Sequence, residues 1–112
     1  GSKAIKKKNI SLINGNPLIA YTINEAKKSK LITDLIVSSD DDEIRTVATQ
    51  YGCDAPFRRP KHLSNDKATS VDCDLHAVKF MEKKLNFHIL GTFLKILVLT
   101  IQNTYNLYQV MI

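Results

Sequence analysis

The spacing of apolar and polar positions changes along the chain, and each change marks an element. Leu12 and Ile13 form a brief extended pair before Asn14-Gly15, a turn signal. Pro17 suits the first turn of a helix, where its missing N–H costs nothing. That helix is predicted to run to about Lys30, with Leu18, Ile19, Ile23 and Ala26 on its apolar side. Lys27, Lys28 and Lys30 lie at its C-terminal end, where the helix dipole favours cations. Leu35-Ile36-Val37 is a short apolar run of the kind found in buried parallel strands. Asp40, Asp41, Asp42 and Glu43 then open a second helix. Its stripe is Ile44, Val47, Ala48 and Tyr51, and Gly52 ends it.

Residues 55–60 are expected to be extended, because a residue preceding proline is pushed out of the α region. A polar loop follows, and either Thr69 or Ser70 can N-cap a third helix. Val71, Leu75, Val78 and Glu82 share one face of that helix, Asp72 and Asp74 sit in its first turn, and Lys83 and Lys84 close it. Beyond Lys84 the composition shifts: Lys95 is the only formally charged side chain from Leu85 to Ile112. Phe93 to Ile101 reads as a strand, whereas Asn103 to Ile112 shows no clear period. Alternating helices and strands predict an α/β fold with a mostly parallel sheet flanked by helices.

The chain has 112 residues and a formal net charge of +5. The positive surplus is clustered: Lys3, Lys6, Lys7 and Lys8 form one group, and Arg58, Arg59, Lys61 and Lys67 another. Such clusters attract nucleic acid, anionic membrane or phosphorylated small molecules, or simply form a solvated face. Cys53 and Cys73 form no CxxC pair and show no metal-site spacing, so reduced thiols and a cytoplasmic location are expected. No signal peptide or bilayer-length apolar stretch is visible. Cys73 and His76 lie one turn apart, but two ligands do not make a zinc site. Tyr105 and Tyr108 lack basic neighbours, which argues against an RNA-stacking surface.

Three segments carry the chemistry. The first is Gly1-Ser2-Lys3-Ala4, followed by Lys8-Asn9. Backbone N–H groups and lysines in such a loop can hold a triphosphate, although the P-loop pattern GxxxxGK[ST] is absent. The second is Asn14-Gly15-Asn16-Pro17-Leu18-Ile19, read as a turn and helix entry. The third is Arg59-Pro60 with Leu63, Asp66, Ala68, Thr69, Ser70 and Asp72. Arginine offers a planar fork for phosphate or carboxylate, and a serine at a helix start can bind an anion or a ribose hydroxyl as readily as cap the helix. Asp66 and Asp72 read equally well as loop and helix-start residues.

In this order the segments resemble the front half of the N-acylneuraminate cytidylyltransferases (CMP-sialic acid synthetases), from Gly1 to about Glu82. The first is similar to that family's Gly-Ser-Lys-Gly-x-x-x-Lys-Asn, with Ala4 replacing the final glycine. The third is similar to its Arg-Pro-x-x-Leu-x-x-Asp-x-Ala-x-Ser-x-Asp. The resemblance implies a partial Rossmann-like nucleotidyltransferase fold. It implies transfer of CMP from CTP to a sialic acid, with release of pyrophosphate and help from Mg²⁺. It makes Gly1, Ser2, Lys3, Lys8, Asn9, Arg59, Ala68 and Ser70 nucleotide-binding and Lys8 catalytic. The implied partners are CTP and a nine-carbon sugar acid, with a family homodimer also open and no role for membrane or nucleic acid. Val37-Ser38-Ser39-Asp40-Asp41 resembles the family's Val-Ser-Thr-Asp-Asp. Its acids are read as a cap for the next helix in preference to a metal site.

The resemblance has gaps. The family's strand before the loop has no counterpart ahead of Gly1, and its Gln-Pro-Thr-Ser-Pro-Leu-Arg motif is only faintly matched by Gln102-Asn103-Thr104. The segment with the family's metal-binding aspartates is not seen. Gly1-Ser2 is read as the middle of a loop in preference to a tag scar. Residues 1–84 are taken as the N-terminal portion of a cytidylyltransferase domain and 85–112 as a divergent or frame-shifted tail. A truncated chain of this kind is expected to be marginally stable, inactive alone, and left with an unpaired strand edge. The rival readings are a small basic nucleic-acid-binding module and an inactive remnant of a related sugar-acid cytidylyltransferase.

Overall fold

The computed structural model describes residues 10–65, 67–85, 96–102 and 106–111. A two-residue hairpin comes first, with strands β1 (Leu12–Ile13) and β2 (Asn16–Pro17) paired antiparallel. Asn14 and Gly15 both have positive φ, 52° and 84°, as the tight primed turns of such hairpins require. Helix α1 (Leu18–Lys27) follows directly, so Pro17 stands at its N-cap, and the helix ends before Lys30. The N–H groups of Lys28 and Ser29 tighten its last turn by donating to the carbonyls of Glu25 and Ala26.

Strand β3 (Asp34–Ser38) leads to helix α2 (Asp42–Gln50). Asp41 caps α2 as the acidic run suggests: its carboxylate accepts from the N–H groups of Glu43 at 2.9 Å and Ile44 at 3.0 Å. A single 3₁₀ turn (Lys61–Leu63) interrupts the loop to α3 (Ser70–Leu85). Two strands complete the fold, β4 (Ile96–Gln102) and β5 (Asn106–Met111).

The three-stranded sheet has the order β3-β4-β5. β3 and β4 run parallel, with Asp34 opposite Ile96 and Ser38 opposite Thr100. β4 and β5 run antiparallel. Among the described residues the sheet is mixed, with a parallel β3–β4 pair and an antiparallel β4–β5 pair. β5 falls where no sequence period was visible, because its ladder to β4 defines it. Phe93 to Lys95, at the start of the predicted final strand, lie outside the described residues.

β3 is an edge strand of the sheet, and the expected unpaired edge is covered in part. One side pairs with β4. On the other, Val37 N–H donates to Asp54 O at 2.8 Å, and Asp54 N–H to Leu35 O at 2.9 Å. A one-residue bridge thus pairs part of that edge.

Alternation along the strands divides the core between the two sheet faces. Leu35 and Val37 of β3 join Leu97, Leu99 and Ile101 of β4 against Ile19 and Ile23 of α1 and Ile44 and Ala48 of α2. Ile36, Ile96 and Val98 face the other way, against Phe57 and against Ala77 and Met81 of α3. Helices thus cover both faces. The buried side of α3 is Cys73, Ala77 and Met81, while Val71 and Leu75 are 62% and 53% exposed. The face predicted for this helix is rotated away from the core.

Candidate functional site

Ligands of open α/β sheets sit outside the carboxyl ends of the parallel strands. Here that edge is formed by Ser38 on β3 and Thr100 and Ile101 on β4. The segment from Phe57 to Ser70 crosses it. Three interactions shape its loop. Ser64 Oγ donates to Pro60 O at 2.9 Å. Asn65 Oδ1 accepts from the N–H groups of Lys67 at 2.9 Å and Ala68 at 3.0 Å. Cys73 Sγ, on α3, reaches Leu63 O at 3.4 Å and ties the 3₁₀ turn to the helix.

Arg59 is the most deeply placed charge of this edge, at 2% exposure. Its Nη1 donates to Ser38 O at 2.9 Å and lies 3.4 Å from Ser38 Oγ. Its Nη2 donates to Ile101 O at 2.7 Å. The facing carboxylate of Asp40 stands 3.9 Å from Nη2. Arg59 Nε is buried without a hydrogen-bond partner among the described residues. Neighbouring Arg58 points outward, donating from Nε to Asp40 O at 3.2 Å and pairing with Asp42 at 3.3 Å.

Ala68 is buried, and Ser70 is the first residue of α3. Thr69 makes the cap, with its hydroxyl accepting from Asp72 N–H at 3.1 Å. Arg59, Ala68 and Ser70 thus belong to one hydrogen-bonded loop and helix start at the carboxyl edge. Gly1, Ser2, Lys3, Lys8 and Asn9 lie outside the described residues, as does Asp66.

The sequence reading missed a contact between α3 and β4. Buried Thr100 donates from Oγ1 to Asp74 Oδ1 at 2.9 Å. Burial raises the Asp74 pKa, opposed by this hydrogen bond. Asp74 read as a helix-start acid, and only the seating of α3 on the sheet turns its carboxyl towards β4. Two residues on, His76 meets the Phe57 ring edge-on at a centroid distance of 4.7 Å. Burial, then the charges of His62 and Arg59, push its pKa below the usual histidine value.

Among the described residues no three His, Cys, Asp or Glu side chains gather in a way that could hold a metal ion. They do not form a Mg²⁺ site. No helix among them is long and apolar enough to cross a membrane.

The mixed sheet is covered by helices on both faces, with a basic loop and a helix start at its carboxyl edge. The chain belongs to the cytidylyltransferase family, whose model matches residues 1–93. It is 44% identical over 84 residues to the pseudaminic acid cytidylyltransferase of Campylobacter jejuni serotype O:23/36, covering 75% of this chain and 36% of that protein. It is 45% identical over 71 residues to the CMP-N,N'-diacetyllegionaminic acid synthase of Campylobacter jejuni serotype O:2, covering 63% and 30%. It is 34% identical over 90 residues to the N-acylneuraminate cytidylyltransferase of Escherichia coli O18:K1:H7, covering 80% and 21%. The chain spans about a third or less of the length of these curated relatives.

Proposed function

We propose that this chain forms the nucleotide-handling part of an enzyme that transfers CMP from CTP to an acylneuraminate, a nine-carbon sugar acid, releasing pyrophosphate. In this reading Gly1, Ser2, Lys3, Lys8 and Asn9 cradle the triphosphate, Lys8 stabilises charge in the reaction, and Arg59, Ala68 and Ser70 form the nucleotide-facing wall. The sheet is part of a Rossmann-like layer, and Mg²⁺, when bound, would supply charge neutralisation for phosphates, with no ligand set for it among the described residues. The buried free thiols of Cys53 and Cys73 are consistent with a reducing, cytoplasmic setting. The observation that carries the reading is the Arg59-to-Ser70 segment, seated at the carboxyl edge of β3 and β4 in a chain of this family.

A second acceptor is favoured by a specific observation. Identity to the pseudaminic acid enzyme is 44%, against 34% for the Escherichia coli acylneuraminate enzyme. Pseudaminic acid is therefore a competing substrate, and so is N,N'-diacetyllegionaminic acid, whose synthase is 45% identical. A basic nucleic-acid module has less support, since it leaves the family match unaccounted for.

The test is calorimetric titration of CTP and of ATP into the purified chain with Mg²⁺. Preference for CTP supports the reading. Equal affinity, or salt-sensitive binding of arbitrary DNA in place of CTP, overturns it. Incubating CTP and each sugar acid with a longer polypeptide that contains this chain then separates these acceptors.

A further inference from the structure

We propose that His76 is a proton-operated latch: neutral, it holds Phe57 and the Lys61–Leu63 turn against α3, and protonated, it releases them. Cys73, His76 and Phe80 fall at i, i+3 and i+7, along one side of α3. Each of the three touches the segment that crosses the carboxyl edge. Cys73 Sγ reaches Leu63 O at 3.4 Å. The His76 ring meets Phe57 edge-on at 4.7 Å, and Phe80 packs on the same ring at a centroid distance of 4.9 Å. His76 is the middle contact, and of the three it alone changes charge in mildly acidic solution. The latch acts on the segment itself, whatever ligand the edge takes.

The surroundings suit a neutral ring and oppose a charged one. His76 Nδ1 is buried without a hydrogen-bond partner among the described residues. A neutral ring protonated at Nε2 leaves only a lone pair there, whereas the imidazolium places a charged N–H without an acceptor. From the loop, Arg59 and His62 bear on His76, and both oppose a further positive charge. On α3 the nearby carboxylates are engaged elsewhere: Asp72 accepts from Thr69 N–H and Asp74 from the Thr100 hydroxyl. Lys79, one turn on, is an exposed cation. Cys73 is held neutral by burial, and Asp40, at the end of β3, faces Arg59. Burial above all, then His62 and Arg59, hold the folded His76 pKa below the ordinary 6.5. The contribution of the neutral ring is therefore full above about 6.5 and lost as pH falls through the folded value. Asp74 has the opposite sign, since its raised pKa favours the protonated form in the fold, so its titration does not loosen the segment.

The test uses the full 112-residue chain carrying Cys53→Ala, which leaves Cys73 as the single thiol. Labelling by a dipyridyl disulfide is measured from about pH 7.5 to about pH 5 and divided by the rate in denaturant at the same pH, which removes the thiol's own titration. The latch predicts that this ratio rises about fivefold on acidification when His76 is present. In His76→Phe, which keeps a ring against Phe57 and cannot ionise, it should stay constant within about twofold. In His76→Gln, which removes the ring, it should be high at every pH, and His62→Asn should retain the response. An NMR titration of the His76 ring gives a second readout, independent of how well any variant folds: its midpoint should coincide with the rise in labelling. A ratio that does not respond to pH, a rise of the same size in His76→Phe, or a ring midpoint away from the labelling midpoint overturns the proposal. Loss of helical circular dichroism over the same range would show global unfolding in place of local release, and overturns it too.

Discussion

Thr69 and Asp72 hold each other reciprocally: the Thr69 hydroxyl accepts from Asp72 N–H at 3.1 Å, and the Asp72 carboxylate accepts from Thr69 N–H at 3.1 Å. This closes the first turn of α3 as a capping box and assigns the cap to Thr69. Ser70, one residue on, is not needed for that purpose. Thr69→Ala should cost about 1 kcal/mol of stability in urea denaturation. Ser70→Ala should stay within about 0.5 kcal/mol of wild type. On the proposed function, Ser70→Ala should nevertheless weaken CTP binding by calorimetry. Destabilisation by Ser70→Ala matching that of Thr69→Ala would return the cap to Ser70.

The Asp74 carboxyl carries an opposite pair of expectations. Its folded pKa is raised above the ordinary 3.8 by burial. The neutral form is thus the better fit in the folded chain, and that contribution is present below about 3.8 and lost as pH rises through the folded value. Asp74→Asn keeps an acceptor for Thr100 and never ionises. Its stability relative to wild type should therefore improve as pH rises from 3.5 to 7. Asp74→Ala should be destabilised by about 1–3 kcal/mol at either pH, because it strands the buried Thr100 hydroxyl. Equal pH profiles for wild type and Asp74→Asn would remove the basis for the first expectation.

Gly15 and Gly52 both hold positive φ, at 84° and 93°, but their surroundings differ. Nothing stands within 4 Å of a Cβ added at Gly15. At Gly52 the added atom would lie 2.7 Å from Lys27 Nζ. That ammonium donates to Tyr51 O at 3.2 Å, at the C-terminal end of α2, where a cation opposes the helix dipole. Gly15→Ala should cost only the backbone penalty, about 1–2 kcal/mol. Gly52→Ala should cost that and more, because Lys27 must swing away from its carbonyl. Chemical denaturation of the two variants checks the order, and a smaller loss at Gly52 would show that the lysine bond contributes nothing.

Much of this arrangement was legible in the residues. The Asn14-Gly15 turn, the Leu35–Val37 strand, the Asp41 cap and the Ile44–Ala48 stripe each express a local rule, and each is found. The exceptions depend on partners far along the chain. Val71 and Leu75 are more hydrophobic than Cys73 and Ala77, yet α3 turns its smaller side chains inward. The rotation agrees with the Asp74–Thr100 bond across 26 residues and with close packing on Ile96 and Val98. Arg59 has the chemistry of a surface residue, and its burial depends on carbonyls of two strands, one of them 42 residues away. Helix periodicity carries no information about such pairs. The opening lysine loop lies outside the described residues.

Cys53 and Cys73 offer a probe of this core from within. Cys53 is 1% exposed in the cluster between β3, α1 and α2, and Cys73 is fully covered beneath the Lys61–Leu63 turn. Burial, reinforced by Asp54, pushes the Cys53 thiol up to about 12. Cys73 is also raised, by burial above all, with Arg59 pulling the other way. Because the thiolate is the reactive species, native Cys53 should be inert towards a disulfide reagent at pH 8, where an exposed thiol near its ordinary pKa is substantially reactive. Cys73 should react first, since its cover is a single 3₁₀ turn and its pKa is partly restored by the guanidinium. Separate Cys53→Ala and Cys73→Ala chains identify which thiol gives each phase. Both should label at full rate in denaturant. Labelling of native Cys53 as fast as in denaturant would mean that the α1–α2 side of the core opens freely, and that the packing described for it does not hold in solution.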